Sequence, residues 1–202
     1  MSNSKKIKVA ITGNIGSGKS SFAKFISALG YPVILADDIS KEILTDDLEV
    51  RSEIIDHFGA QSFQGKKVNT SYLAALVFPD QKKLKKINSI LHPRVRKRIE
   101  YLSEEYFKTN DTVFVEAALI FESKIEKMYD YVVLIIAEKD LRMKRSTTAK
   151  KISEVDFIKR DNNQLNEDAK KKKADFVFTN NGSKDELKQK AILLIKLLAA
   201  IS

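Results

Sequence analysis

The 202-residue chain contains no cysteine. That excludes a disulfide framework, a zinc–cysteine centre and a thiol nucleophile. It also fits a reducing interior compartment, so a cytoplasmic location is expected. The opening residues, MSNSKKIKVAIT, lack the apolar region of a secretory signal. The apolar stretch AILLIKLLAAI near the C-terminus is broken by Lys196. It falls short of the roughly 20 residues that span a bilayer, so it reads as a packed terminal helix and no membrane partner is expected. There is no internal repeat, no low-complexity linker and no recognised nucleic-acid-binding motif. Acidic residues number 27 against 36 lysines and arginines, a net charge of +9. An excess of this kind favours polyanionic partners, phosphorylated small molecules among them, although lysines on a solvated surface give the same sum.

What the chain does have is alternation. Ile7–Thr12 is a short β-rich run, and Phe22, Phe25, Ile26 and Leu29 follow at helical spacing until Gly30. PVILA (Pro32–Ala36), TVFVEAALIF (Thr112–Phe121), YVVLIIA (Tyr131–Ala137) and DFVFT (Asp175–Thr179) read as further strands, continuous in apolar character as in parallel sheets covered on both faces. The expectation is an α/β protein with a five-stranded parallel sheet. Residues from about 38 to 106 are helical in pattern, rich in charge and broken near Gly59 and Gly65; they are too many for a simple crossover and predict a helical subdomain. Residues 139–173 predict a second, very basic helical excursion.

Between the first strand and the first helix lies AITGNIGSGKSSFA. Gly13-x4-Gly18-Lys19-Ser20 matches the phosphate-binding loop in full, with the strand before and helix after that it requires. Glycines let successive backbone N–H groups converge on one anion, and the helix adds its positive end. The segment Gly13, Asn14, Ile15, Gly16, Ser17, Gly18, Lys19, Ser20 and Ser21 is therefore expected to hold the phosphates of ATP or GTP. Lys19 reaches the β- and γ-phosphates and Ser20 ligates Mg²⁺. The loop alone leaves open whether water, a hydroxyl or another phosphate attacks.

Three further features bear on that question. Asp37 and Asp38 stand just past the second strand, where ligands gather in such sheets. Asp37 is the candidate to accept or orient a hydroxyl proton, and Asp38 the candidate N-cap of a helix starting near Ile39. Glu116 ends an apolar run, in the manner of an acid that assists Mg²⁺; a surface acid at a strand end is the alternative. Leu141–Lys151 (LRMKRSTTAKK) supplies cations suited to a migrating phosphoryl, Arg145 foremost. The run Lys170–Lys173 reads as a solvated helix face.

ITGNIGSGKS, PVILAD, HFG (His57–Gly59), LHPRV (Leu91–Val95), LIFE (Leu119–Glu122) and ADFVFTNNG (Ala174–Gly182) occur in this order, and together they resemble dephospho-coenzyme A kinase over nearly the whole chain. The resemblance implies a three-layer P-loop kinase fold in a single domain. Its nucleotide-binding core would be residues 1–37, 107–138 and 174–202, with a coenzyme A substrate subdomain at 38–106 and a lid at 139–173. It implies transfer of the γ-phosphoryl of ATP, with Mg²⁺, to the ribose 3′-hydroxyl of dephospho-coenzyme A. Asp37 would be the base, Arg145 the lid cation, and Asn180 a neighbour of the adenine. His57, His92, Pro93, Glu116 and Leu119 would serve the acceptor. A bare reading of Pro93 is a helix start with His92 packed beneath it. Leu35 stands where the family usually has a first aspartate, Thr70 where an arginine is common, and Ala149 where a second lid arginine is frequent. Gln164 keeps its place. Nucleic acid is not expected as a partner, and the chain is expected as a monomer or weak homo-oligomer.

Overall fold

The computed structural model describes residues 5–150 and 152–201; Lys151, the last cation of the cluster read from sequence, lies outside them. The first strand, β1 (Ile7–Thr12), has five buried residues of six. Apolar on both faces, it takes the centre of a five-stranded parallel sheet. It pairs with β5 (Thr112–Glu116) on one side and β6 (Tyr131–Ile136) on the other. The less buried β2 (Val33–Leu35) and β7 (Phe176–Thr179) form the two edges, in the order β2-β5-β1-β6-β7. Helices α1 (Lys19–Ala28) and α9 (Lys184–Ile201) pack on the sheet through Phe22, Ile26, Leu187, Ala191 and Leu194, all within one core with Val9, Ile11, Phe114 and Val133. The C-terminal apolar run is thus a packed helix.

The run Thr112–Phe121 is strand only as far as Glu116. Beyond it the chain turns: Ser123 N–H donates to the Leu119 carbonyl, Lys124 N–H to Phe121 and Ile125 N–H to Ile120. Ile120 and Phe121 remain in the interior. An apolar run reports burial, and a buried turn satisfies it as well as a strand does.

The chain divides into two compact units, residues 1–34 with 102–202, and residues 35–101. The second unit holds α2 (Ala36–Asp46), α3 (Leu48–Phe58), α4 (Thr70–Val77) and most of α5 (Gln81–Phe107). Between α3 and α4 lies a small hairpin, β3 (Phe63–Gln64) and β4 (Lys67–Val68), turned at Gly65. Val50, Ile54, Phe58, Phe63, Leu73, Ile87, Ile90 and Leu91 form its core.

Two local expectations for this unit are corrected. Helix α2 starts at Ala36, three residues before Ile39, and its N-cap position, Leu35, makes no side-chain cap. Asp38 is therefore not a cap. It sits with Asp37 in the first turn, where negative charge meets the positive end of the helix, and pairs with Lys41 at 2.7 Å. Pro93 does not start a helix but lies inside α5. Proline there removes one backbone donor. The helix persists because Ile87, Ile90 and Leu91 anchor the turns before it in the core, while Arg94, just after it, reaches Asp47, Glu49 and Glu53. Arg94 and Arg96 also donate to the carbonyls of Ile90 and His92.

Residues 139–171 of the first unit form α6 (Lys139–Lys150), α7 (Glu154–Asn162) and α8 (Glu167–Lys171). The lysine run is only partly a solvated face: Lys171, Lys172 and Lys173 are exposed, whereas Lys170 is wholly buried. Its ammonium is 2.8 Å from Glu122 Oε1. Burial lowers the Lys170 pKa, and the Glu122 carboxylate opposes that shift.

Candidate active site

β1 delivers the chain to Gly13, and α1 begins at Lys19. The residue before it, Gly18, has φ 96° and offers no side-chain cap; the first turn of α1 carries no acidic residue. Four other helices are capped by side chains, Asp47 on α3, Asn69 on α4, Ser153 on α7 and Asn166 on α8, and α2, which is not, carries two aspartates in its first turn. The N-terminal donors of α1 are thus given neither cap nor counter-charge, which suits an external anion. Gly16 adopts φ +78°, and a Cβ there would run into the Arg142 carbonyl and lie 2.6 Å from Ser146 Oγ. A Cβ on Gly13 would meet the Ile135 carbonyl of β6. These positions leave room for glycine alone.

A cavity of about 370 Å³ opens over this helix end. Gly16, Gly18, Lys19, Ser20, Arg145 and Asn180 are among its lining residues. Its size is within the range of small-molecule sites. Lys19 and Glu116 are both buried, with Nζ 3.6 Å from Oε1. The Glu116 of the sequence reading is therefore not a surface acid; it stands at the end of β5 beside the loop lysine. Arg145 Nη1 donates to the Asn180 carbonyl at 2.8 Å, and Asn180 Nδ2 donates to the Ser17 carbonyl at 2.8 Å. One buried asparagine thereby joins the loop, the arginine of α6 and the end of β7. Two loop amides are used internally: Ser17 N–H donates to Asn14 and Ile15 N–H to Gln164 Oε1.

The structure brings Gly13–Ser21, Glu116, Arg145 and Asn180 together in one unit. Leu119, half-buried, follows β5 in the same unit. Asp37, His57, His92 and Pro93 belong to the other unit. Asp37 is exposed in the first turn of α2, and His57 is exposed in the last turn of α3. His92 is half-buried in α5, and burial lowers its pKa, with the neighbouring Arg96 charge adding to the shift. Sequence reasoning missed Arg142 and Asp161 as supports of the loop, and it singled out Gln164 only through the family pattern. A buried arginine on a highly charged helix has no signature of its own, because its partners lie far along the chain.

A strand, a glycine loop over an uncapped helix end, a buried lysine–glutamate pair and a facing arginine define a P-loop nucleotide-binding protein of the small-kinase class. A family model described as Dephospho-CoA kinase matches residues 7–186. A dephospho-CoA kinase of Bacteroides fragilis (strain YCH46) is 32% identical over 183 residues, covering 91% of this chain and 89% of the relative. Among solved structures, TT1252 from Thermus thermophilus aligns with a TM-score of 0.79 at 31% identity, covering 98% of this chain and 99% of that one. A dephospho-CoA kinase from Campylobacter jejuni aligns at 0.69 and 29% identity, covering 95% and 96%. The chain belongs to the dephospho-CoA kinase family: it is a kinase of coenzyme A biosynthesis that phosphorylates dephospho-CoA with ATP as co-substrate.

Proposed function

We propose that the acceptor is the ribose 3′-hydroxyl of dephospho-CoA and that Gly13–Ser21 grips the triphosphate of ATP. The observation that carries this reading is the helix end of α1, left without cap or acid, with buried Lys19 at its first position. Loop amides and Lys19 hold the β- and γ-phosphates. Asp37 accepts or directs the proton of the attacking hydroxyl, whose oxygen bonds to the γ-phosphorus while the bond to the ADP oxygen breaks. Lys19 and Arg145 stabilise negative charge on the migrating group. Asn180, already in the cavity wall, neighbours the adenine.

Among the described residues no three carboxylate or imidazole groups cluster into a metal cage. The donor set at the loop, the Ser20 hydroxyl and the Glu116 carboxylate, fits Mg²⁺ completed by phosphate oxygens. Mg²⁺ there would supply charge neutralisation. Residues 38–106 are the acceptor side, with His57, His92 and Pro93 as contacts, joined by Glu116 and Leu119. Residues 139–173 act as the lid that keeps water from the γ-phosphate. No helix among the described residues is long and apolar enough to cross a membrane; we place the enzyme in the cytoplasm, as a monomer or weak homo-oligomer without a nucleic-acid partner.

The test is coupled kinetics with ATP and dephospho-CoA, with mass spectrometry locating the new phosphate. Coenzyme A and ADP are the expected products. Phosphorylation of AMP or UMP with none of dephospho-CoA, or ATP hydrolysis that depends on DNA or RNA, overturns the assignment.

A further inference from the structure

The two backbone groups of Ile15, in the phosphate loop, are fastened to Arg142 of α6 and to Gln164 in the turn between α7 and α8. Its N–H donates to Gln164 Oε1 at 2.7 Å, and its carbonyl accepts from Arg142 Nη1 at 3.3 Å. Arg142 is buried, with 6% of its surface exposed. Its Nε donates to the Ala137 carbonyl at 3.1 Å, its Nη1 is 2.6 Å from Asp161 Oδ1, and its guanidinium lies 5.8 Å from the ring of buried Phe157. Phe157 and Asp161 are one turn apart on α7, so they present one face to the cation. Arg142, Arg145 and Ser146 share a face of α6: Arg145 and Ser146 line the cavity, and Arg142 does not.

We propose that Arg142 is a positioning residue for nucleotide binding. It fixes the Asn14–Gly16 turn through the Ile15 carbonyl, and Asp161 cancels its charge so that the guanidinium stays a structural fork and is not drawn onto the phosphates. Only a planar, multidentate cation meets Ala137, Ile15 and Asp161 at once; a lysine keeps the ion pair and loses the fork. This inference rests on the nucleotide site proposed above.

The experiment is calorimetric titration of MgATP, without acceptor, into the unsubstituted protein, Arg142→Lys, and the doubly neutral Arg142→Gln/Asp161→Asn. Thermal unfolding and steady-state kinetics accompany it. Arg142→Lys, which retains a charge for Asp161, is expected to melt within a few degrees of the unsubstituted protein. Its Kd and KM for MgATP should rise about tenfold, with kcat at saturating nucleotide and KM for dephospho-CoA changed less than about threefold. The double variant leaves no buried charge unpaired and is expected to weaken MgATP to at least the same degree; should Arg142→Lys not fold, it decides by the same reading. Unchanged MgATP affinity in the folded variants, beside normal uptake by the unsubstituted protein, overturns this inference alone. No uptake by the unsubstituted protein overturns the nucleotide site as well.

Discussion

The ammonium of Lys19 lies 3.6 Å from Glu116 Oε1, and both side chains are buried. One comes from the first turn of α1 and the other from the last residue of β5. Loss of one partner of a buried ion pair commonly costs about 3–5 kcal/mol, and loss of one electrostatic stabiliser about 10²–10³ in rate. Lys19→Met is therefore expected to lower both the melting temperature and turnover. Lys19→Met/Glu116→Gln should recover most of the melting temperature and none of the turnover. A double variant no more stable than the single one would show that the pair carries no coupling.

Asp37 is exposed, so its removal disturbs no packing. Asp37→Asn loses only a first-turn charge, so it is expected to melt within a few degrees of the unsubstituted protein and to bind MgATP normally, while kcat falls about 10²-fold or more. Steady-state kinetics beside a MgATP titration separates the three readouts, and near-normal turnover would remove Asp37 from the base role.

Lys170 is wholly buried, and Glu122, with its Oε1 2.8 Å away, also accepts from Leu165 N–H at 2.9 Å. Glu122→Gln strips the counter-charge while keeping the shape. A loss of about 3–5 kcal/mol is expected in denaturant unfolding, larger than for Glu122→Gln made in a Lys170→Met background. Equal losses in the two backgrounds would refute the coupling.

Burial holds the His92 pKa below its ordinary 6.5. In the window between the depressed value and 6.5 the unfolded chain binds a proton that the folded chain does not. Stability therefore rises with pH across that window and is lost as pH falls through it. His92→Gln removes this contribution. Melting curves at pH 5 and pH 7.5 should show a smaller difference for the variant than for the unsubstituted protein, and an unchanged difference would refute it.

The loop could be read from the chain because its chemistry is local. Glycine spacing, the strand before it and the helix after it lie within a score of residues, and β1 and α1 fall where periodicity puts them. Asp38 was misread because an aspartate before a helical pattern suits either a cap or a first-turn charge, and only the backbone at Leu35 and Ala36 distinguishes them. Pro93 suits a helix start because the first turn needs no donor from it, and only the contacts of its neighbour Arg94 with α3 and its cap residue Asp47 show that it lies inside a helix instead. The hairpin at Gly65 has strands of two residues each, too short for any alternation to register.

By itself the sequence determined the five strands of the main sheet, the phosphate loop and the family, because each is written in residues close together or in a fixed succession. Only the tertiary structure decided which distant groups meet: Glu116 on Lys19, Asn180 on Ser17 across 163 positions, and Arg142 on Ile15 across 127. The physical reason is that a parallel sheet gathers the carboxyl ends of strands separated by whole helices. A buried charge then takes its role from whatever that gathering sets beside it.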